Sequence, residues 1–278
     1  MMVNRLWAFA AFLALWGCAT PAPPPDPAQA ERLSQLQQLL PADAILLGEQ
    51  HDAPDHQRIH RLAVETLASQ QLLAAVAIEM VSAGQSTEKL ASTASETQVQ
   101  ATLQWNNDLW PWSAYGPVVM AAVRAGVPVI GANLPTARLR EAMADTNLDR
   151  LLSGPALKAQ QQQIRLGHCD LLPQRQISPM TRIQIARDVS MAQVLAAATR
   201  PGKTVLLLAG SAHVDRTLGV PLHLPPGLKV RTVLLHTTPS LDTNPSATGF
   251  DHRWRADAAP ATDYCAKLQA RQFDKPLR

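Results

Sequence analysis

The stretch AILLGEQH, residues 44–51, sets the expectation for the fold. Its first half, Ala44–Leu47, is apolar without alternation, which is typical of a strand buried on both faces. Its second half is polar and places Glu49 and His51 just beyond the strand. A buried strand that ends in such side chains indicates an open parallel sheet, whose ligand crevice lies outside the carboxyl ends of the strands.

Four more short apolar runs follow, and helical stretches separate them. The predicted strands after Ala44–Leu47 are Ala75–Ile78, Val127–Ile130, Val205–Leu208 and Val230–Leu235. The predicted helices are Ala28–Leu40, Asp55–Ser69, Tyr115–Arg124, Thr136–Ala144, Pro155–Arg165 and Ser178–Ala197. Strands that alternate with helices predict an α/β fold with a central, mostly parallel sheet and helices on both faces. Residues 28–278 would form one such domain, with residues 237–278 as a tail that wraps its surface.

The composition fits an ordinary globular protein. The chain has 278 residues, of which 46% are hydrophobic and 17% charged, and its formal net charge is +3. The hydrophobic share is too high for a disordered chain. The charge is too nearly balanced for general nucleic-acid binding, which needs a dense Lys and Arg surface, so we expect no nucleic-acid partner.

The N-terminus has the features of an export signal. Arg5 precedes an eleven-residue apolar run, Leu6–Trp16. This run is shorter than the roughly 20 residues that span a bilayer, but it suits the core of a signal peptide. The following box, Leu15-Trp16-Gly17-Cys18, resembles the processing site of bacterial lipoproteins. Residues 1–17 would then be removed.

Cys18 would become the lipidated first residue of the mature protein. Residues 18–27 are rich in proline and would form a semi-rigid spacer between the lipid and the domain. The expected location is the cell envelope, at the outer membrane facing the periplasm, because Ala19 rather than Asp follows the cysteine. A plain secretory signal, cleaved elsewhere, is the alternative.

Two cysteines remain in the mature chain, Cys169 and Cys265. In an exported protein they most simply form one disulfide, which would tie the C-terminal tail to the middle of the domain. Two buried free thiols are the alternative.

Polar side chains follow all five predicted strands. They are Glu49, His51, Glu79, Asn133, His213 and His236. Carboxylates and imidazoles from separate strands can bind Zn²⁺ or another divalent metal. Without a metal, the same groups could act as a general base with an orienting acid, or could form a hydrogen-bonded network of purely structural importance. Paired carboxylates need a counter-charge, which Arg187 could supply.

Aromatic residues are concentrated in one short segment. Trp105, Trp110, Trp112 and Tyr115 lie within eleven residues of a turn-rich stretch. Such a cluster indicates a pocket wall or an interface, and a local hydrophobic plug under a loop is the alternative. A tyrosine phenolate can bind haem iron, and tryptophan faces suit a flat macrocycle.

The other histidines are weaker candidates. His168 follows a predicted helix and could either join the site or cap the helix. His56 and His60 share a helix face, which is a spacing that can bind metal, but a solvated surface pair is the more common arrangement.

Several motifs together resemble the ChaN family of haem-binding lipoproteins, within the superfamily of Tiki metalloproteases and erythromycin-esterase-like hydrolases. The resemblance covers Leu40 to Leu235 and rests on GEQHD at 48–52, IEM at 78–80, WPWSAYGP at 110–117, GANL at 131–134, GHCDLLP at 167–173, RDVSMA at 187–192 and LLAGSAHVDRTLGVP at 207–221.

The resemblance implies a membrane-anchored lipoprotein that binds haem for haem or iron uptake, as a homodimer enclosing haem between subunits. Tyr115, Trp110 and Trp112 would then form the haem pocket, and His51 and His168 would hold iron or propionates. Likeness to the wider superfamily instead implies a metal-dependent hydrolase or peptidase. Its metal or catalytic residues would be Glu49, His51, Glu79 and His213.

Overall fold

A computed structural model describes residues 27–237, 249–259 and 262–273. The predicted signal peptide and Cys18 therefore lie outside the described residues. The strands are β1 (Ala44–Glu49), β2 (Leu73–Ser82), β3 (Val129–Asn133), β4 (Thr204–Gly210), β5 (Val230–Thr237) and β6 (His252–Ala256). The helices are α1 (Pro27–Gln38), α2 (Pro54–Ser69), α3 (Glu96–Leu103), α4 (Trp112–Arg124), α5 (Leu139–Ala144), α6 (Gly154–Gly167), α7 (Gln174–Ala198), α8 (Ser211–Val214) and α9 (Tyr264–Phe273).

The six strands form one sheet in the order β3-β2-β4-β1-β5-β6, and every pairing is parallel. All five predicted strands are present, so the predicted α/β fold with a parallel sheet is confirmed. The structure adds β6, a sixth strand at the edge beside β5.

Successive side chains along each strand point to opposite faces of the sheet, and each face has its own hydrophobic core. On one face, large residues such as Leu47, Ile78 and Leu208 pack with α2 and α4. On the other face, small residues such as Ala44 and Ala77 pack with the long helix α7. Burial on both faces explains why the strands have no polar alternation.

Strand β4 lies between β1 and β2, and this arrangement positions the site. Glu49 at the end of β1 is in register with Gly210 at the end of β4. On the opposite side, Ile78 of β2 pairs with Leu208 of β4. Glu49 and Glu79 therefore flank the same strand end.

The C-terminal tail differs from its prediction. Part of the segment expected only to wrap the surface forms β6 and α9. In β6, Trp254 and Ala256 are buried while Arg255 between them is exposed. This period-2 alternation is typical of an edge strand, but it spans too few residues to stand out in the sequence.

Cys169 and Cys265 form the predicted disulfide, with an S–S distance of 2.03 Å. It joins the turn after α6 to the first turn of α9. Among the described residues, no helix is both long enough and apolar enough to cross a membrane.

Candidate functional site

Glu49 is the centre of the first half of the site. Its carboxylate is buried, and His51 donates from Nδ1 to Oε1 over 2.7 Å. The hydroxyl of Tyr115, from the first turns of α4, donates to the same oxygen over 2.6 Å. Burial opposes the charge of Glu49, but the bonds from His51 and Tyr115 and the nearby imidazoles hold the pKa of Glu49 below its ordinary value.

His56 and His60 lie beneath this carboxylate. Both are fully buried on α2, so the expectation of a solvated surface pair was wrong. The Nδ1 atom of His60 lies 3.4 Å from Oε2 of Glu49, and His56 accepts a hydrogen bond from the backbone N–H of Gln50. Burial lowers the pKa of His60 to about 4, so its imidazole is neutral near pH 7.

Glu79 of β2 is the centre of the second half. Its Oε2 accepts the backbone N–H of Gly210 over 2.7 Å. The Nε2 atoms of His51 and His213 lie 3.8 and 3.5 Å from its carboxylate oxygens. Burial opposes the charge of Glu79, but the two imidazoles and the Gly210 amide outweigh it and lower the pKa to about 2.

His213 continues the site to α7. Its Nδ1 lies 2.5 Å from Oδ1 of Asp188, and both side chains are buried. Burial alone would lower the pKa of His213, but Glu79 and Asp188 raise it to about 10. His213 is therefore an imidazolium held between two acids. The site is a line of alternating acids and imidazoles that runs Glu49, His51, Glu79, His213, Asp188.

Two glycines give this line the space it needs. A Cβ atom on Gly210 would lie 2.9 Å from Nε2 of His51, and one on Gly48 would lie 3.0 Å from the Cα of Ser211. Gly48 lies inside β1 and Gly210 has an ordinary negative φ, so the role of these glycines is close approach and not a sharp turn of the chain.

The four residues predicted to bind metal are together, but their donors are not arranged as a metal site. Within the described ranges, no group of three or more His, Cys, Asp or Glu side chains could hold a metal ion. The Nδ1 atoms of His51 and His213 are paired with Glu49 and Asp188, so each ring could offer only Nε2 to a ligand.

An apolar cavity of about 620 Å³ opens beside His51. Trp110 and Tyr115 form its aromatic wall, and Arg58 and Arg61 provide its basic side. The imidazole of His51 makes an edge contact with the Trp110 ring at a centroid distance of 4.8 Å. The side chain of His51 is 37% exposed, so this cavity gives a ligand access to the buried line of acids and imidazoles.

A second cavity, of about 410 Å³, is also lined by Trp110. Its lining includes Glu79, Asn133 and Arg187. Leu109 and Trp110 line both cavities. Arg187 thus lines the same cavity as Glu79, but the groups that stabilise the charge of Glu79 are His213, His51 and the Gly210 amide.

Three other predicted residues lie elsewhere. Trp112 packs against Trp105 and donates to Glu96, and it is not among the residues that line the apolar cavity. His168 bonds the Ile164 carbonyl through Nδ1 at the end of α6, which is the capping alternative. His236 lies at the end of β5, where it lines a different cavity.

The fold and the site together define an α/β protein with an apolar ligand cavity at the carboxyl ends of a parallel sheet. The family model described as "Haem-binding uptake, Tiki superfamily, ChaN" matches residues 35–224. The chain belongs to this family, as the motifs indicated. No curated protein sequence matches it.

The chain is also similar to solved structures. The structure described as cofacial haem binding to ChaN of Campylobacter jejuni is 27% identical, with a TM-score of 0.62, and the match covers 73% of this chain and 85% of that chain. An erythromycin esterase, the EreC H289N mutant, is 16% identical with a TM-score of 0.44, covering 75% of this chain and 72% of that one.

Proposed function

We propose that this chain binds haem in the apolar cavity beside His51, as a protein of haem or iron uptake. The observation that carries the proposal is an aromatic-walled cavity that ends at an imidazole held by a buried carboxylate. Membership of a haem-binding uptake family supports it, as does the likeness to ChaN of Campylobacter jejuni.

The cavity suits haem in size and in charge. Pockets that bury a cofactor-sized ligand measure roughly 300–1,000 Å³, and this one measures about 620 Å³. Trp110 and Tyr115 offer ring surfaces to a flat apolar macrocycle. Arg58 and Arg61, on the basic side, would pair with the two propionates.

Two side chains of the cavity could bind the iron, His51 and Tyr115. The hydroxyl of Tyr115 is committed to Glu49, and burial together with this carboxylate raises the pKa of Tyr115 above its ordinary value. A phenolate would therefore form at high cost. In contrast, the bond from Nδ1 of His51 to Glu49 fixes the tautomer that leaves a lone pair on Nε2 once the ring is neutral. We therefore assign the iron ligand to His51, with Tyr115 supporting Glu49.

A haemin titration tests this proposal. The protein should produce a saturable Soret shift at micromolar concentration, and His51→Ala should weaken binding and change the ligand-field bands. Tyr115→Phe should retain the same bands. Loss of the bands in Tyr115→Phe but not in His51→Ala would assign the iron to Tyr115 instead. Absence of any Soret shift would contradict haem binding.

The predicted lipid anchor, envelope location and homodimer belong to the same proposal. Leu109, at the rim of the cavity, is 67% exposed, and a second copy of the chain could cover it. We expect haemin to shift the sedimentation coefficient toward a dimer, and Leu109→Asp to reduce that shift. Mass spectrometry of the envelope protein should find a lipidated Cys18 as its first residue.

The metal-dependent hydrolase alternative has less support. The acids and imidazoles are together, but no group of three or more His, Cys, Asp or Glu side chains among the described residues is arranged to hold a metal. Metal analysis of protein purified without chelator tests it. Stoichiometric metal that is lost in His51→Ala would favour the hydrolase.

A further inference from the structure

The C-terminal helix α9 contacts the turn that carries His51. Tyr264, in the first turn of α9, is hydrogen-bonded to the side chains of Gln50 and Asp52. Gln50 in turn donates to Asp52 over 2.9 Å. His51 lies between these two residues in the sequence, so α9 fixes both of its neighbours.

Asp52 extends this contact to the cavity. Its side chain accepts hydrogen bonds from Tyr264, Gln50 and Thr262. Asp52 also lines the apolar cavity. The C-terminal segment therefore orders part of the cavity wall.

The segment before α9 makes a second contact with the same wall. The backbone N–H of Asp257 donates to Asp55 over 2.8 Å, and the carboxylate of Asp257 lies 3.2 Å from Arg58. Arg58 is one of the two basic residues of the cavity. Both contacts join the C-terminal segment to the start of α2.

The disulfide attaches this segment to the domain. Cys265 directly follows Tyr264, and its bond to Cys169 closes a loop of 96 residues. On the Cys169 side, Cys169 and Asp170 both have positive φ values, 58° and 55°, which are unusual for residues other than glycine. Without the bond, that turn and the first turn of α9 lose their covalent constraint. Cys265 is exposed, so a reductant can reach it.

We propose that the Cys169–Cys265 disulfide is a redox latch on the haem cavity, and this rests on the proposed function. When the disulfide is intact, it holds Tyr264 against the Gln50–Asp52 turn and so keeps His51 in place. When it is reduced, α9 detaches, the turn gains freedom, and haem leaves faster.

Opening the latch requires a dithiol reductant, such as an envelope thiol–disulfide oxidoreductase. One reductant thiolate attacks Sγ of Cys265, the Sγ–Sγ bond breaks, and Cys169 leaves as a thiolate that takes up a proton. The second reductant thiol then displaces Cys265, which also ends as a thiol. The two cysteines gain two electrons and two protons, and the reductant becomes a disulfide.

The first test measures haemin transfer from the loaded envelope protein to excess apomyoglobin. Reduction with dithiothreitol should speed release roughly three- to tenfold, as expected for the loss of one or two hydrogen bonds that order the site. The Cys169→Ser/Cys265→Ser variant should release haemin at the fast rate with or without the reductant. Tyr264→Phe should be fast even when oxidised, because the latch acts through this hydroxyl.

The second test needs no haem and separates the two proposals. Amide hydrogen exchange of residues 50–53 should become faster on reduction in the wild type but should not change in the double serine variant. Faster exchange without any haemin binding would uphold the latch and overturn the proposed function. Equal exchange in both redox states, or equal release rates in a protein that binds haemin, would overturn the latch.

Discussion

The hydroxyl of Tyr115 donates to Oε1 of Glu49 over 2.6 Å, although 66 residues separate them in the chain. This bond links the aromatic segment to the strand-end acids, which the sequence presented as two independent features. The carboxylate of Glu49 therefore bonds both Tyr115, which is part of the cavity wall, and His51.

The Tyr115→Phe variant should be less stable than the wild type. It leaves a buried carboxylate oxygen with one donor fewer, which costs about 1–3 kcal/mol of unfolding free energy. Urea unfolding measures this loss. Arg138→Ala, which removes an exposed ion pair with Glu141, is the control and should change stability much less, because solvent screens this pair. Equal losses of unfolding free energy in the two variants would show that the Tyr115–Glu49 bond stabilises the protein no more than an exposed ion pair does.

Haem affinity should rise with pH in the range above the ordinary pKa of histidine. Burial alone would lower the pKa of His51, but Glu49 and Glu79 raise it, so the proton competes with iron at pH values where a typical histidine is already neutral. Glu49→Gln removes the main partner and should move the midpoint to lower pH. Haemin titrations across pH measure both curves. Superimposable curves would contradict the role of Glu49.

The free energy of unfolding should fall as pH rises from about 6.5 to about 10. His213 has a raised pKa of about 10 in the folded protein, so the stability it contributes is complete below its unfolded value of 6.5 and is lost as pH rises through 10. The loss should be on the order of 2–4 kcal/mol. His213→Gln should have a flatter profile in the same urea experiment. Parallel profiles would mean that His213 is not charged in the native state.

Gly210→Ala should weaken haemin binding with little effect on stability. The new Cβ would lie 2.9 Å from Nε2 of His51, whose partly exposed ring can move aside toward the cavity. Haemin titration and thermal unfolding, done side by side, separate the two effects. Gly154→Ala is the matched control, because its Cβ would meet no atom within 4 Å. Unchanged haemin affinity in Gly210→Ala would show that the position of His51 does not matter for binding.

Much of the fold could be predicted because its strands are buried on both faces. Runs such as Ala44–Leu47 and Val205–Leu208 are continuously apolar, and this pattern alone predicts a buried strand. The polar residue after each run indicates where the strand ends at the edge of the sheet. The convergence of Glu49, His51, Glu79 and His213 followed from parallel topology alone, and the structure confirms that they lie together.

The partners of these residues could not be predicted in the same way. Asp188 pairs with His213 from the middle of α7, whereas the sequence analysis named only its neighbour Arg187, as a counter-charge for the two glutamates. Helix phase relative to the sheet decides which helix residues face the site, and composition does not reveal that phase. The burial of His60 was missed for a related reason: the apolar face of α2 includes two histidines that read as polar.

The position of β4 between β1 and β2 has a consequence for when the site forms. Glu49 and Glu79 belong to strands that share no edge, and only the late strand β4 brings them together, with Glu79 and Gly210 131 residues apart. A growing polypeptide that has not yet reached Gly210 contains both carboxylates but not the strand that aligns them. Under the proposed function, haem loading would therefore follow the synthesis and pairing of β4.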